Sequence, residues 1–207
     1  NDEFEVFRSS SNSLHNLLLV EDEIEMGRFI AGEIAVDYNV ILTRNGDEAL
    51  KALKKYNIIL VVSDLIMPVI DGYELCRQIK STLEFSHIPV IMLTASVHIN
   101  AKIEGLDSGA DAFIEKPFAV EHLMAQINNL IRNRRLEQQN FISSPLSRFM
   151  SDALNKTDVD FLKKLNATLM ENISETDLSV ETVSEMMGIS VSTLYRKVKA
   201  LTDLNSV

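Results

Sequence analysis

Five short apolar runs, separated by longer segments of helical periodicity, constrain the fold of this 207-residue chain more than any other feature of its sequence. The runs are continuous rather than alternating, which is typical of parallel strands buried on both faces. They comprise residues 17–20, 40–42, 58–62, 90–93 and 112–114. Strands that alternate with helices in this way predict one α/β domain with a doubly wound, five-stranded parallel sheet.

Polar side chains follow four of these five runs, where the carboxyl ends of the predicted strands lie. They are Glu21 and Asp22, Asp64, Thr94 and Lys116. Ligands of an open parallel sheet bind beyond these ends, so the side chains are expected to converge. A lone acid after a strand is usually the start of a solvated loop, but the joint pattern favours a site.

The chemistry of this set indicates phosphoryl transfer. Three carboxylates at one edge repel one another unless a hard cation lies between them, and all-oxygen ligands suit Mg²⁺. The hydroxyl of Thr94 and the ammonium of Lys116 can hold phosphoryl oxygens. The carboxylate of Asp64 can then attack phosphorus as a nucleophile.

The segments around these residues resemble the receiver domain of two-component response regulators. The matching segments are Leu-Val-Glu-Asp-Glu at 19–23, Ser-Asp-Leu-Ile-Met-Pro at 63–68 with Asp71-Gly72, Leu-Thr-Ala at 93–95 and Lys-Pro-Phe at 116–118. The resemblance covers about residues 14–135. It implies a flavodoxin-like receiver domain, to which we assign residues 14–138.

The resemblance also implies a role for each residue of the set. Asp64 accepts phosphate from a histidine kinase, and Thr94 and Lys116 contact the phosphoryl oxygens. Phe113 corresponds to the switch aromatic of the family, and an ordinary core aromatic is the less favoured alternative. The Lys116–Pro117 peptide is expected to be cis. The implied Mg²⁺ ligands are Asp22, Asp64 and the backbone carbonyl of Ile66, with Glu21 acting mainly through water.

The remainder of the chain reads as a linker, residues 139–156, followed by a purely helical segment, residues 157–207. A helix at about Val180–Met187, a turn at 188–190 and a helix starting near Val191 form a helix-turn-helix pattern, for which a small helical bundle is the alternative. We expect Thr157 and Ser179 to be N-caps. The residues predicted to face DNA are Ser192, Thr193, Arg196, Lys197 and Lys199.

The amino-acid sequence of residues 177–181 and 188–202 is similar to the first half of an AraC-type DNA-binding domain. That family carries two helix-turn-helix motifs, of which this chain contains one, and Asp203 stands where the family often has Gly. DNA binding must also rest on a local basic surface, because the net charge of the chain is −10. Specific DNA binding by this segment alone is therefore not expected.

The order of the segments resembles the cytoplasmic end of a hybrid two-component protein. Residues 1–13 read as a polar linker, and both ends look cut from a longer polypeptide. In such proteins a histidine kinase precedes the receiver in the same chain, and the parent is anchored in the inner membrane. A cytoplasmic location fits the single cysteine, Cys76. A homodimer remains open as a further assembly.

Two other functions compete with this interpretation. An aspartate-nucleophile phosphatase would need a second acid two residues after Asp64, but Ile66 occupies that position and cannot protonate a leaving group. The chain itself is then expected to catalyse only its own phosphorylation and dephosphorylation. The other alternative is a receiver that serves as a protein-docking or oligomerisation module without binding DNA.

Overall fold

The computed structural model describes residues 4–11, 15–95, 108–143, 155–172 and 178–202, with only the backbone described for 137–143 and 202. The middle of the predicted linker and Asp203 lie outside these ranges. The chain divides into two compact units, one of residues 1–80 and 88–132 and the other of residues 81–87 and 133–207. Within the described ranges, no helix has the length and apolar character that crossing a membrane requires.

The first unit is built around a sheet that contains all five predicted parallel strands. The strands are β1 (Glu5–Phe7), β2 (Asn16–Val20), β3 (Asn39–Thr43), β4 (Ile58–Asp64), β5 (Val90–Thr94) and β6 (Ala112–Glu115), in the order β1-β3-β2-β4-β5-β6. The helices are α1 (Ile24–Ile34), α2 (Gly46–Lys55), α3 (Gly72–Ser81) and α4 (Val120–Ser143), of which Ser81 and the residues of α4 from 133 onward belong to the second unit.

Burial on both faces of the sheet explains the continuous apolar runs. In β2, both Leu18 and the flanking Leu17 and Leu19 are almost completely buried, although alternate side chains point to opposite faces. One core cluster of this unit combines strand residues with Ile30 of α1 and Ile127 of α4. The helices therefore cover the strands, as the doubly wound prediction requires.

The sixth strand was not predicted, and the five-stranded expectation is wrong in that respect. β1 runs antiparallel to β3, with Val6 opposite Ile41, within the stretch interpreted as a linker. The chain then reaches the end of α1, where Ser10 donates through its backbone N to Ala35 O at 3.0 Å. A three-residue edge strand is too short to show a periodic pattern, so it could not be predicted from the sequence.

Side chains on either side of β1 anchor it to the first unit. Phe4 is only 7% exposed and packs edge-on against Tyr56, with ring centroids 6.3 Å apart. The ammonium of Lys55 lies 5.7 Å from the centroid of the Phe4 ring. Glu5 pairs with Arg28 at 3.1 Å. Most of the anchoring comes from the buried ring, because an exposed ion pair contributes little.

The second unit contains three described helices besides the end of α4: α5 (Lys156–Glu171), α6 (Val180–Met187) and α7 (Val191–Thr202). The predicted limits of α6 and the start of α7 are confirmed, as is the Ser179 N-cap, which accepts from Thr182 N. The predicted N-cap at Thr157 is wrong, because the side chain of Asn155 accepts from Asp158 N instead. The apolar core of the unit comprises Phe161, Leu162, Val183, Met187, Leu194 and Leu201.

The anchoring role of Phe4 predicts the effect of two phenylalanine substitutions. Phe4→Ala should lower the free energy of unfolding by about 1–3 kcal/mol, less than for a central phenylalanine because β1 can detach. Phe29→Ala, at an exposed position of α1, should change it by no more than about 0.5 kcal/mol. Urea denaturation measures both, and equal effects of the two substitutions would contradict the docked strand.

Candidate functional site

Three carboxylates meet at the carboxyl edge of the sheet. Glu21 and Asp22 follow β2, and Asp64 ends β4, the strand beside it in the sheet. Val20 pairs with Ser63, so the register brings the two strand ends to the same level. One oxygen from each carboxylate lies within 4.8 Å of the others. Glu21 is 2% exposed, whereas Asp64 is half-buried and Asp22 is exposed.

Lys116 supplies the cation that this acidic cluster needs. Its Nζ donates to Glu21 Oε2 at 2.8 Å and to Asp64 Oδ2 at 2.9 Å. Burial raises the pKa of the Glu21 carboxyl above its ordinary value, and Asp64 adds to this, although the hydrogen bond from Lys116 acts in the opposite direction. Burial acts to lower the pKa of Lys116, but its bonds to the two carboxylates outweigh this and raise it. The lysine therefore stays charged.

The carboxylate of Asp64 is held at both oxygens. Oδ1 accepts from Leu65 N at 2.7 Å, while Oδ2 accepts from Lys116. The carbonyl oxygen of Leu93 also accepts from Leu65 N, at 2.9 Å, which ties this peptide to β5. The side chain thus has one orientation, with an oxygen directed toward the lysine and the other acids.

Gly72 is a positioning residue whose importance was not predicted from the sequence. A Cβ atom there would lie 3.0 Å from Leu65 Cα and still closer to the carbonyl oxygen of Asp64. The amide of Gly72 donates to Leu65 O at 2.9 Å. Only glycine allows α3 to begin this close to the phosphoacceptor candidate. The available signal was Asp71-Gly72, interpreted only as a turn and as part of the family motif.

The loop between β4 and α3 carries exposed apolar residues and one unusual backbone conformation. Val69 has a φ of 72° and is 82% exposed. A β-branched residue rarely adopts this left-handed region, and such outliers concentrate near functional sites. The side chain of Ile66 is also exposed. The predicted metal contact of Ile66 concerns its backbone carbonyl and stays a prediction.

Thr94 and Phe113 lie on the neighbouring strands. Thr94 is buried at the end of β5, one residue beyond Leu93, which pairs with Asp64. Its carbonyl oxygen accepts from Lys116 N at 2.7 Å, so the lysine is tied to the same strand end. Phe113 is half-buried in β6. The Lys116–Pro117 peptide is cis, as expected.

The residues predicted to face DNA are not all on the surface of α7. Ser192, Arg196 and Lys199 are exposed, and Thr193 is half-buried. Lys197 is 0% exposed, so its predicted place on the exposed polar face is wrong. Its ammonium pairs with the buried carboxylate of Asp158 in α5. Helical spacing alone could not reveal an acid buried on another helix.

The fold and this site are those of the receiver domain of a response regulator. Residues 17–128 match the family described as the response regulator receiver domain. The match covers more than half of the chain, so the chain belongs to this family. The sequence-based identification of the receiver is confirmed.

The chain is similar to segments of longer proteins, of which it spans only a part. The chain is 35% identical over 187 residues to "Histidine kinase P4" of Formosa agariphila, covering 90% of this chain but 14% of that protein. It is 38% identical over 135 residues to "Probable transcriptional regulator ycf29" of Pyropia yezoensis, 64% of this chain and 60% of that protein. The signal receiver domain of a signal transduction histidine kinase from Syntrophus aciditrophicus superposes with a TM-score of 0.55 at 32% identity, covering 57% and 91% of the two chains.

The close approach at Gly72 predicts opposite effects for two glycine substitutions. Gly72→Ala should lower the free energy of unfolding by about 1–3 kcal/mol, because the methyl group overlaps the backbone of Asp64 and Leu65. Gly32→Ala, on the exposed side of α1 with nothing within 4 Å of the new methyl group, should raise it by about 0.5–1 kcal/mol. Denaturation curves in urea report both changes. A Gly72→Ala protein as stable as the Gly32→Ala protein would refute the positioning role.

Proposed function

We propose that this chain is the receiver and part of the output region of a two-component signalling protein, in which Asp64 accepts a phosphoryl group from a histidine kinase. The carboxylate of Asp64 carries the proposal. Its Oδ1 is held by Leu65 N at 2.7 Å and its Oδ2 by Lys116 at 2.9 Å, beside two further acids. A nucleophile needs this kind of fixed orientation for in-line attack on phosphorus.

The donor set fits Mg²⁺. All three acids offer oxygen, the ligand type that this ion prefers, and their oxygens lie within 4.8 Å of one another. Asp22, Asp64 and the carbonyl of Ile66 would hold the ion, and Glu21, already paired with Lys116, would act through water. The bound cation would offset negative charge on the phosphoryl oxygens.

The transfer itself needs few protein groups. An oxygen of Asp64 forms a bond to phosphorus while the bond from phosphorus to the imidazole nitrogen of the donor breaks, and the electron pair stays on that nitrogen. Lys116 is within reach of Asp64 and can neutralise a phosphoryl oxygen as the transfer proceeds. The hydroxyl of Thr94 is assigned to a second phosphoryl oxygen. Phe113 is assigned to the switch that reports the modification.

We do not expect the chain to act as a general phosphatase on other phosphorylated molecules. Ile66 occupies the position of the second acid that such a phosphatase requires, and an alkyl side chain moves no proton. The chemistry of the chain is therefore its own phosphorylation and dephosphorylation.

The output that we propose is regulation of transcription through an AraC-type domain, of which residues 157–207 are the first part and α6 and α7 are the helix-turn-helix. Gly188, with a φ of 69°, ends α6 and forms the turn between them. Ser192, Thr193, Arg196 and Lys199 are left for DNA once Lys197 is removed from the set. A second candidate is a docking module without DNA binding, and the burial of Lys197 favours it because one cation is lost from the surface.

We further propose that a histidine kinase precedes the receiver in the same polypeptide. The Formosa agariphila relative bears the name of a histidine kinase, and this chain matches 14% of its length. In this arrangement the parent is anchored in the inner membrane and the described part is cytoplasmic.

Phosphorylation of Asp64 is tested by incubating the chain with acetyl phosphate and Mg²⁺. Intact-mass measurement should show one added phosphoryl group on the unchanged chain and none on Asp64→Asn, which lacks the nucleophilic oxygen. Asp71→Asn is the matched control, since Asp71 caps α3 through Glu74 N and lies outside the acid cluster. Equal labelling of the Asp64→Asn protein and the unchanged chain would exclude Asp64 as acceptor.

Metal binding is tested at Asp22, the exposed acid of the cluster. Asp22→Ala should weaken Mg²⁺ affinity by about 10- to 100-fold. It should also make the metal-free protein slightly more stable, because carboxylate repulsion is relieved. Calorimetric titration measures the affinity, with Glu33→Ala as an exposed acidic control on α1. An unchanged Mg²⁺ titration in Asp22→Ala would locate the metal elsewhere.

A further inference from the structure

Residues 81–87 belong to the second unit, although they lie within the sequence that matches the receiver family. Leu83 packs against the apolar core of that unit. Phe85 and Ser86 are buried. The segment therefore contributes to the interior of the unit that contains α5, α6 and α7.

Ser86 completes a buried polar network in this unit. Its hydroxyl donates to Asp158 Oδ1 at 2.8 Å and accepts from Lys197 Nζ at 2.6 Å. Lys197 also pairs directly with Asp158. The carbonyl of Ser86 accepts from Asn155 Nδ2, the side chain that caps α5. All three members, Ser86, Asp158 and Lys197, are buried.

This network holds α7 through a charge that water cannot reach. A buried ammonium is strongly disfavoured unless acceptors surround it, and here Asp158 and Ser86 are two of them. If residues 81–87 moved away, Lys197 would lose one acceptor and Asp158 one donor. The position of residues 81–87 thus affects the stability of α7, the helix that carries the residues assigned to DNA.

A second contact of the same segment involves Arg196 directly. Glu84 pairs with the guanidinium of Arg196, whose side chain is otherwise half exposed. Arg196 is the arginine among the residues assigned to DNA on α7. The guanidinium that a phosphate group or a base edge would need is therefore already paired with the carboxylate of Glu84.

We propose that residues 81–87 form an inhibitory latch on α7. Glu84 neutralises Arg196, and Ser86 holds Lys197 and Asp158 in the buried network, so that DNA must displace the Glu84 carboxylate before Arg196 can bind it. This inference rests on the proposed DNA-binding role of α7. Its partner is the polyanionic backbone of duplex DNA, which competes with Glu84 for the same guanidinium.

The latch is tested first without DNA. Glu84→Gln should raise the rate at which an arginine-specific dicarbonyl reagent modifies Arg196 about two- to fivefold, the gain expected from losing a partly exposed ion pair. Glu171→Gln is the matched control, since it removes the same charge from an exposed position at the end of α5. Peptide mass mapping reports the rate at Arg196. An unchanged rate in Glu84→Gln overturns the latch, whatever the protein does with DNA.

Binding to a random-sequence DNA duplex at low salt is the second arm. Glu84→Gln should tighten binding about two- to fivefold and steepen the dependence of log affinity on log salt by about 0.9, as one more phosphate contact predicts. The gain should vanish when Arg196→Ala is added, because the two residues act as a pair. An equal gain in Glu171→Gln would show general repulsion and overturn the latch.

The two arms separate failure of the latch from failure of the DNA role. If Glu84→Gln exposes Arg196 to the reagent but Arg196→Ala leaves the affinity for DNA unchanged, α7 does not contact DNA through this residue. The proposed function of α7 then fails, and the inhibitory role of the segment fails with it. If Arg196→Ala weakens binding but Glu84→Gln leaves reagent rate and affinity unchanged, the DNA role stands and the latch alone is wrong.

Discussion

Repulsion between carboxylates at one edge of a parallel sheet is the constraint on which the site depends. The strand order places the ends of β2 and β4 side by side, so Glu21 and Asp64 must share one cation. Lys116 meets that need with hydrogen bonds of 2.8 and 2.9 Å. Lys116 lies in the loop after β6, and its backbone N donates to the carbonyl oxygen of Thr94 on β5. The acids, the lysine and the sheet order therefore form one electrostatic arrangement.

This arrangement could be predicted from the sequence because each of its components leaves a local signal. A strand buried on both faces reads as a continuous apolar run, as residues 58–62 do. The polar residue that follows then lies at a known edge of the sheet. The fold rule brings Asp22, Asp64 and Lys116 together without any knowledge of side-chain packing. The helices α6 and α7 could also be predicted, because the cap residue Ser179 and the turn residue Gly188 lie next to the helices that they delimit.

The features that the sequence did not reveal depend on contacts between distant residues. β1 forms because it pairs with the edge of β3 and because Phe4 packs against the ring of Tyr56. The sequence of three residues does not indicate either contact. Gly72 matters because the backbone of Asp64 lies against it. Lys197 looked like a surface base because its partner, Asp158, is 39 positions away in sequence. In each case the deciding atom belongs to another element.

We propose that the acidic edge binds a divalent cation beside a nucleophilic Asp64, with Lys116 as the protein's own counter-charge. Anomalous diffraction from crystals soaked in Mn²⁺, a stand-in for Mg²⁺ with similar oxygen preference, tests it most directly. We expect one strong peak at this edge of the sheet, from an Mn²⁺ ion bound by oxygens of Asp22 and Asp64. No peak at this edge, or a peak that leaves Asp64 without a metal contact, would contradict the account.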